Sequence, residues 1–557
     1  MAASPLLLGP MVRYVDETSA GIWVETRAEC RVSVHAEGVS WDAPTFAVHD
    51  HHYALVELDG LDPGAEFAYR VEIDGATVWP EPGSEYPESR ITTRTPGRPL
   101  RMAFGSCRTS VPHDRSGNRT HGVDSLRAFA LAAAGDPGIR PDLLLFLGDQ
   151  VYADSTTEEM RKFIRGRRDI REEPGTELKD YEEYAHLYQL AWSDPANRWL
   201  LSCVPTAMVF DDHDIRDDWN ASLDWRKKME QTSWWKGRIV AGLASYWVYQ
   251  HLGNLSPRER AEDELWRTIG EHDGDGELDL TDALDAFADR CDAHPESYRW
   301  SYRRDYDDVR LIVVDSRVSR ELEPSARGLL DEEELAWFDE QMQGGFRHVL
   351  VASSLPFLLP RGLHHVEAWD EAIALGAWGR GAAWVGEKLR QAVDLEHWAA
   401  FQNSFHAVAR IATELADGER GPSPLSVTFL SGDVHFSYLA EVERDGGGRI
   451  VQAVCSPIRN PLPRFLRWFA VVMSYGVATP MGAAAAHSVK VPDPPFRWKT
   501  VKGPWFDNNL AMLHDADDGL RMTWSTGVVE DGDELHPRLE QVASVIVPST
   551  RDIPLSA

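Results

Sequence analysis

Four clusters of ionisable residues carry the chemistry open to this sequence, and each follows a short apolar run. Ser106-Cys107-Arg108 follows residues 100–104, and Gly148-Asp149-Gln150-Val151-Tyr152-Ala153-Asp154 follows residues 142–147. Asp211-Asp212-His213-Asp214-Ile215-Arg216-Asp217-Asp218 follows residues 207–210, and Gly432-Asp433-Val434-His435-Phe436-Ser437 follows residues 425–430. Gly148 lets the chain turn sharply so that the Asp149 carboxylate projects from a strand end. Residues i and i+2 of an extended chain point the same way, so Asp433 and His435 can face one site. Carboxylates and imidazole packed as densely as at 211–218 repel one another unless solvated, paired or bound to cations. Each cluster alone has an ordinary reading: a small buried thiol, a Gly-Asp turn, a charged surface loop. Together they bring thiol, phenol, imidazole and carboxylate to the ends of strands expected in one sheet. Thiolate, phenolate and imidazole sharing a carboxylate suit a transition metal, and carboxylate oxygens suit calcium or magnesium. Two adjacent cations are a common solution for in-line attack on a phosphoryl centre.

The elements that position these clusters follow from the apolar pattern. Six continuously apolar runs, at 100–104, 142–147, 207–210, 309–314, 348–352 and 425–430, read as strands buried on both faces. Helix-like stretches at 125–134, 158–168, 181–192 and 328–343 lie between them. The pattern is that of a layered α/β domain, in which ligands gather beyond the carboxyl ends of the strands. Residues 1–95 differ: short alternating strands with Pro63-Gly64 and Asp74-Gly75 turns indicate a small all-β sandwich of fibronectin-III or immunoglobulin type. Residues 96–99, Pro-Gly-Arg-Pro, read as a linker, so the α/β domain is expected over 100–557.

Composition narrows the function classes. The 557 residues hold 57 Lys+Arg against 89 Asp+Glu, a formal charge of −32. Such a surface disfavours nucleic acid and anionic lipid unless basic charge is concentrated locally. An anionic substrate needs something local to overcome that field, and bound cations would do so. The five cysteines are scattered with no C-x-x-C, as suits a reducing compartment. The N-terminus shows neither a basic n-region nor a twin arginine, so a cytoplasmic location is expected. The one long apolar stretch, 469–486, is broken by Ser474, Tyr475, Gly476, Pro480 and Gly482 and reads as a buried segment, not a membrane span.

The four motifs, taken together and in this order with a β-domain in front, resemble the PhoD-like alkaline phosphatase family of the calcineurin-like metallophosphoesterase superfamily. The resemblance spans nearly the whole chain. It implies a calcineurin-like sandwich and an iron site, Fe(III), beside a calcium site, Ca(II), bridged by Asp149, with other divalent cations possible. Cys107, Tyr152 and His435 would complete the iron side, and Asp212 and Asp433 would serve the second cation with Asp211 as a neighbour. It further implies hydrolysis of a small phosphate ester by a metal-bound hydroxide attacking phosphorus in line, with His213 steadying the transition state or protonating the leaving group. Asp214 stands where the family has Glu. Two alternatives stay open: a phosphodiesterase of the same fold, and a non-catalytic binding protein stabilised by its metals.

Other residues carry weaker signals. Arg108 and Arg216 beside the ligand candidates could clamp a phosphoryl oxygen or form ordinary salt bridges to the surrounding carboxylates, and Asp315 and Arg317 after the run at 309–314 are further candidate substrate contacts. Ser353-Ser354 lacks the context of a nucleophilic elbow. His364-His365 reads as a surface pair, and Trp234, Trp235, Trp378 and Trp384 as core or pocket wall. Asp273-Gly-Asp-Gly-Glu-Leu-Asp279 has Leu278 and Leu284 where a calcium-binding EF-hand loop demands Gly and Glu, so it reads as a loop before a helix.

Overall fold

The computed structural model describes residues 4–392, 394–474 and 478–548. The N-terminal region is a β-sandwich. One sheet runs Leu6–Val15, Ala20–Thr26, His51–Leu58, Phe46–Val48, and the other Val39–Pro44, Arg31–Ala36, Glu66–Ile73, Ala76–Trp79. Alternate residues such as Val12, Ile22, Val34, Val56 and Val71 fill the space between them. The acidic loop at 273–279 ends in a short strand, Leu278–Asp279, that adds to Phe46–Val48 in parallel and sews the two regions together.

The rest of the chain is mixed α/β, built on two sheets packed face to face. The first has the order Thr206–Val209, Leu143–Leu147, Arg101–Gly105, Leu510–Ala516, Gly519–Val528, Arg538–Pro548. The second has the order Tyr302–Tyr306, Val309–Val313, His348–Ala352, Ser426–Ser431, Arg449–Val454, Ser437–Glu443, Arg497–Trp505. Phe104, Leu145 and Val209 from one sheet meet Leu311, Leu350, Leu430 and Val451 from the other. Helices cover the outer faces, so the inner strands are buried on both sides, which is why their sequences are apolar without alternation.

This corrects the expectation of one sheet. The six apolar runs divide three and three between two sheets. Runs of either sheet are equally apolar, so their partition cannot be read from the pattern. The helices form close to where their caps allow: Asp124, Asp180 and Asp331 accept backbone N–H groups at the starts of Ser125–Gly135, Tyr181–Trp192 and Glu332–Gln341.

A helical cap is formed by Arg361–Ala374, Arg380–Ala392, Arg464–Ser474 and Ala478–Ser488. The stretch 469–486, expected to be buried, lies in the last two of these. Gly482 and Ala486 are buried but Val471 and Met481 are exposed, and residues 475–477 fall outside the described residues. Among the described residues, no helix is long and apolar enough to cross a membrane. Within the cap His364 and His365 are buried, His364 against Phe405 and Trp498, which corrects the surface reading. Trp378 and Trp384 are exposed, which corrects theirs, whereas Trp234 and Trp235 are buried.

Candidate metal centre

The loops that follow the strands converge through their backbones. Cys107 N–H donates to Gly148 O at 3.3 Å, Arg459 N–H to Cys107 O at 3.1 Å, and Ala153 N–H to His213 O at 2.8 Å. Gly432 is required by the closeness of this meeting, because a Cβ there would lie 1.9 Å from Ser106 Oγ. Cys107, Asp149, Asp433 and His435 all adopt left-handed backbone conformations, with φ of 57°, 50°, 63° and 56°. Such conformations are disfavoured for residues with a Cβ and gather where function over-determines the backbone. Sequence inspection gave no sign of that strain.

Two ligand sets meet at one carboxylate. Donor atoms of Cys107, Asp149 and His435 lie within 4.8 Å of one another, as do those of Asp149, Asp212 and His213, and those of Asp211, Asp212 and Asp433. Tyr152 OH donates to Asp149 Oδ2 at 3.2 Å. His435 is oriented by its Nδ1 on the carbonyl of Asn460, 2.5 Å away, a contact that fixes a ligating imidazole. Ser106 and Ser456 hydroxyls lie 3.1 and 3.3 Å from Cys107 Sγ. Asp149 Oδ1 and Asp211 Oδ2 are buried without any hydrogen-bond partner, the condition in which a carboxylate oxygen fits a cation.

The electrostatics of the protein atoms alone are strained in the same sense. Burial, then Asp211, Asp212 and Asp214, pushes the Asp149 carboxyl far above its usual range. Burial, then Asp149 and Asp433, does the same to the Cys107 thiol. Asp211 and Asp212 are also raised, by burial and by their neighbours, against the pull of Arg317. Positive charge placed among these groups relieves all four at once. A soft thiolate, a phenolate and an imidazole on one side and carboxylates on the other therefore fit a mixed pair of cations.

Asp214 accepts N–H groups from Asp149, Val151 and Asp211 at 3.0, 3.3 and 2.9 Å, so it ties two ligand loops together from behind. His213 Nδ1 lies 3.0 Å from both Asp154 oxygens, and Asp154 also receives Asp217 N–H. Burial opposes the imidazolium, but Asp154, Asp212 and Asp149 outweigh it and hold His213 protonated well above its usual value.

Two residues of this centre, Glu396 and His397, have no signal in the sequence, and a third, Arg317, has a different role from the one the sequence suggests. Arg317, fully buried, donates through Nε to Asp211 and Nη2 to Asp212 at 2.5 and 3.0 Å, and through Nη1 to Glu396 at 2.5 Å. Glu396 is shared with Arg320 at 3.1 Å. His397 holds Asp433 Oδ2 through Nε2 at 2.8 Å while its Nδ1 meets Glu367 at 3.1 Å. No motif surrounds Glu396 or His397, which form only a bare Glu-His pair between helices. Arg317 was noted as a substrate contact, but its guanidinium is taken up by carboxylates.

Arg108 and Arg216 are likewise committed elsewhere. Arg108 is buried, with Nε and Nη2 on Asp124 Oδ2 at 3.0 and 2.8 Å. Arg216 pairs with Glu177 at 3.1 Å and stacks on Trp234. Asp315 accepts the N–H groups of its own turn, and Ser354 bonds Ser316 at 2.8 Å. A 670 Å³ groove lined by Tyr14, Arg94, Arg304 and Trp337 contains none of the ligand candidates, so it is chemistry and not size that marks the site.

A family model described as PhoD-like phosphatase matches residues 116–463. The chain belongs to the PhoD-like phosphatase family. A second model, a domain of unknown function named DUF7800, matches residues 3–91. A solved structure described as that of PhoD is 13% identical, with 99% of this chain and 92% of that chain covered at a TM-score of 0.59, which shows the shared fold. A type III pullulan hydrolase from Thermococcus kodakarensis is 11% identical over 93% of this chain and 92% of its own, with a TM-score of 0.15. A glycoside hydrolase from Bacteroides vulgatus is 10% identical over 62% and 61%, with a TM-score of 0.16. No curated protein matches the chain. Membership of the PhoD-like family makes the chain a phosphoric ester hydrolase and a metal-dependent one.

Replacement of His397 by Asn is expected to loosen Asp433 without removing a ligand. Supporting partners of this kind are worth about 10–100-fold in metal affinity. Calcium titration should show a loss of that size with the circular dichroism spectrum unchanged.

Proposed function

We propose that the centre binds Fe(III) through Cys107, Tyr152 and His435 and Ca(II) through Asp211, Asp212 and Asp433, with Asp149 serving both. The observation that carries this reading is Asp149 itself, shared between two donor groups and left with one buried oxygen unpartnered. When bound, such a cation pair neutralises phosphoryl oxygens and lowers the cost of generating the attacking nucleophile. The protein's own residues supply the rest. Asp149 and Asp433, held by strained turns, fix the spacing of the two sets. His213, oriented by Asp154, holds a proton at a ring nitrogen beside Asp149 and Asp212 and gives it to the leaving oxygen of the ester. Asp154 then stabilises the returning imidazolium and keeps its orientation through the cycle.

The substrate is a small phosphate ester. Monoester and diester are separated by steady-state hydrolysis of a chromogenic phosphomonoester and the matching diester at saturating calcium. The reading expects turnover of at least one, and the larger kcat/KM assigns the subclass. No turnover of either ester by protein shown to contain both metals would contradict it and favour a binding role.

A further inference from the structure

The N-terminal sandwich meets the rest of the chain through one group that stability alone does not explain. Arg13, on Leu6–Val15, is fully buried, and burial pushes its guanidinium down to about 9. Among the described residues its hydrogen bonds all go to uncharged atoms. Nη1 donates to Tyr249 O at 2.8 Å and Met11 Sδ at 3.4 Å, and Nη2 to Gln250 O at 2.5 Å and Asn254 Oδ1 at 3.4 Å. Its Nε has no partner. A buried cation without a counter-charge is costly. Docking of the two regions does not account for that cost, because it is secured elsewhere: Arg260 meets Glu57 at 2.7 Å, His51 meets Glu182 at 2.9 Å, and Phe46–Val48 pairs with Leu278–Asp279.

What Arg13 grips is the carboxyl end of a helix of unusual form. Trp235–Tyr246 runs on into a π-turn, Trp247–His251, and a 3-10 turn, Leu252–Asn254. π-turns are rare and frequent at functional sites. A cation at this end is favoured by the helix dipole. From the π-turn Gln250, fully buried, donates through Nε2 to Tyr188 OH at 2.9 Å and to Asp214 Oδ1 at 3.3 Å. Asp214 in turn takes the N–H groups of Asp149, Val151 and Asp211. The contact with Asn254 is the weaker arm, because that side chain is already committed to both backbone groups of Met208, at 2.9 and 2.7 Å.

We propose that Arg13 is a positioning residue of the metal centre: by holding the π-turn it aims Gln250 at Asp214, and so fixes the loop of Asp149 against the loop of Asp211 and Asp212. The path is unbroken from Arg13 to Gln250, to Asp214, to the backbones of both loops. The N-terminal sandwich is thereby a working part of the hydrolase and not an appended module. Partners that keep ligands in place act on metal affinity. That the loops hold cations rests on the reading under Proposed function; that Arg13 holds the loops does not.

The test compares the full chain with its Gln250→Met, Arg13→Met and double variants. Arg13→Lys, which keeps the charge but loses the two-pronged grip, stands in where Arg13→Met does not fold. Hydrogen exchange on the metal-free chain reads the loops themselves. Exchange at the amides of Asp149, Val151 and Asp211 is expected to quicken about tenfold in each single variant. The sandwich strands Ala20–Thr26 and His51–Leu58 should keep their protection. Calcium titration reads the consequence: each single variant should lose about tenfold in affinity. The double variant should lose far less than the product of the two, because both changes cut one path. Unchanged exchange at the three amides in Gln250→Met, which removes no charge, would overturn the proposal. So would a rise spread evenly over sandwich and loops in the Arg13 variant, or calcium losses that multiply in the double variant, since either makes Arg13 an ordinary structural contact. Amides that respond as expected in a chain that binds no calcium would uphold this link and overturn the metal reading instead.

Discussion

Replacing Asp149 by Asn should abolish ester hydrolysis and empty the centre of metal while leaving the fold in place. The amide keeps the shape but loses the charge that both donor groups share. Removal of one preorganised electrostatic group from an active site costs about 10²–10³-fold in kcat. With Asp149 proposed to serve two cations, a loss on the order of 10³-fold or more is expected. The fold should survive because burial and like charges already disfavour the Asp149 carboxylate in the metal-free chain. Elemental analysis beside kcat reads both effects. Full activity with full metal content in the variant would remove Asp149 from the centre, and collapse of the fold would make the metals structural.

Arg317→Met should have the largest effect on stability. The guanidinium is fully buried and is the joint partner of Asp211, Asp212 and Glu396. Removing one member of a buried ionic group leaves the others uncompensated and costs about 3–5 kcal/mol. The urea midpoint of the calcium-free variant should fall accordingly. Saturating calcium should recover part of the loss, because a cation held among Asp211, Asp212 and Asp433 would bind the folded state alone. Introducing Glu396→Gln as well should also recover part of it, since one orphaned carboxylate is then neutral. An unchanged midpoint in Arg317→Met would show that these carboxylates are compensated some other way.

The ligand candidates were legible in the sequence because they sit at strand ends in contiguous motifs. Asp149 and Tyr152 share one turn, as do Asp433 and His435, and each turn follows a run apolar enough to identify as a buried strand. The arrangement of those strands was not legible. Whether the strand before Cys107 pairs with the strand before Asp433 depends on tertiary packing, and the two belong to different sheets whose meeting at Gly432 and Ser106 only coordinates show.

The supporting residues escaped for the same reason. His397 and Glu396 lie between helices far from any motif, and Arg317 looked like a phosphate clamp because its carboxylate partners are some 105 and 79 residues away along the chain. Arg108 and Arg216 were adjacent in sequence to ligands but point to Asp124 and Glu177, since neighbours on a turn diverge. Residue type alone places Trp378 and Trp384 in the core or a pocket wall, and their exposure follows from which face of the cap its neighbouring helix covers.

Phosphoester hydrolysis should require the cations that Asp149 and its neighbours would hold. The most direct measurement is the hydrolysis rate of the purified protein before chelation, after removal of its metals, and after return of iron and calcium, with metal content determined at each stage. Activity is expected to fall with the metals and to return with them, and not to return in Asp149→Asn. An undiminished rate in protein stripped of metal would contradict that requirement.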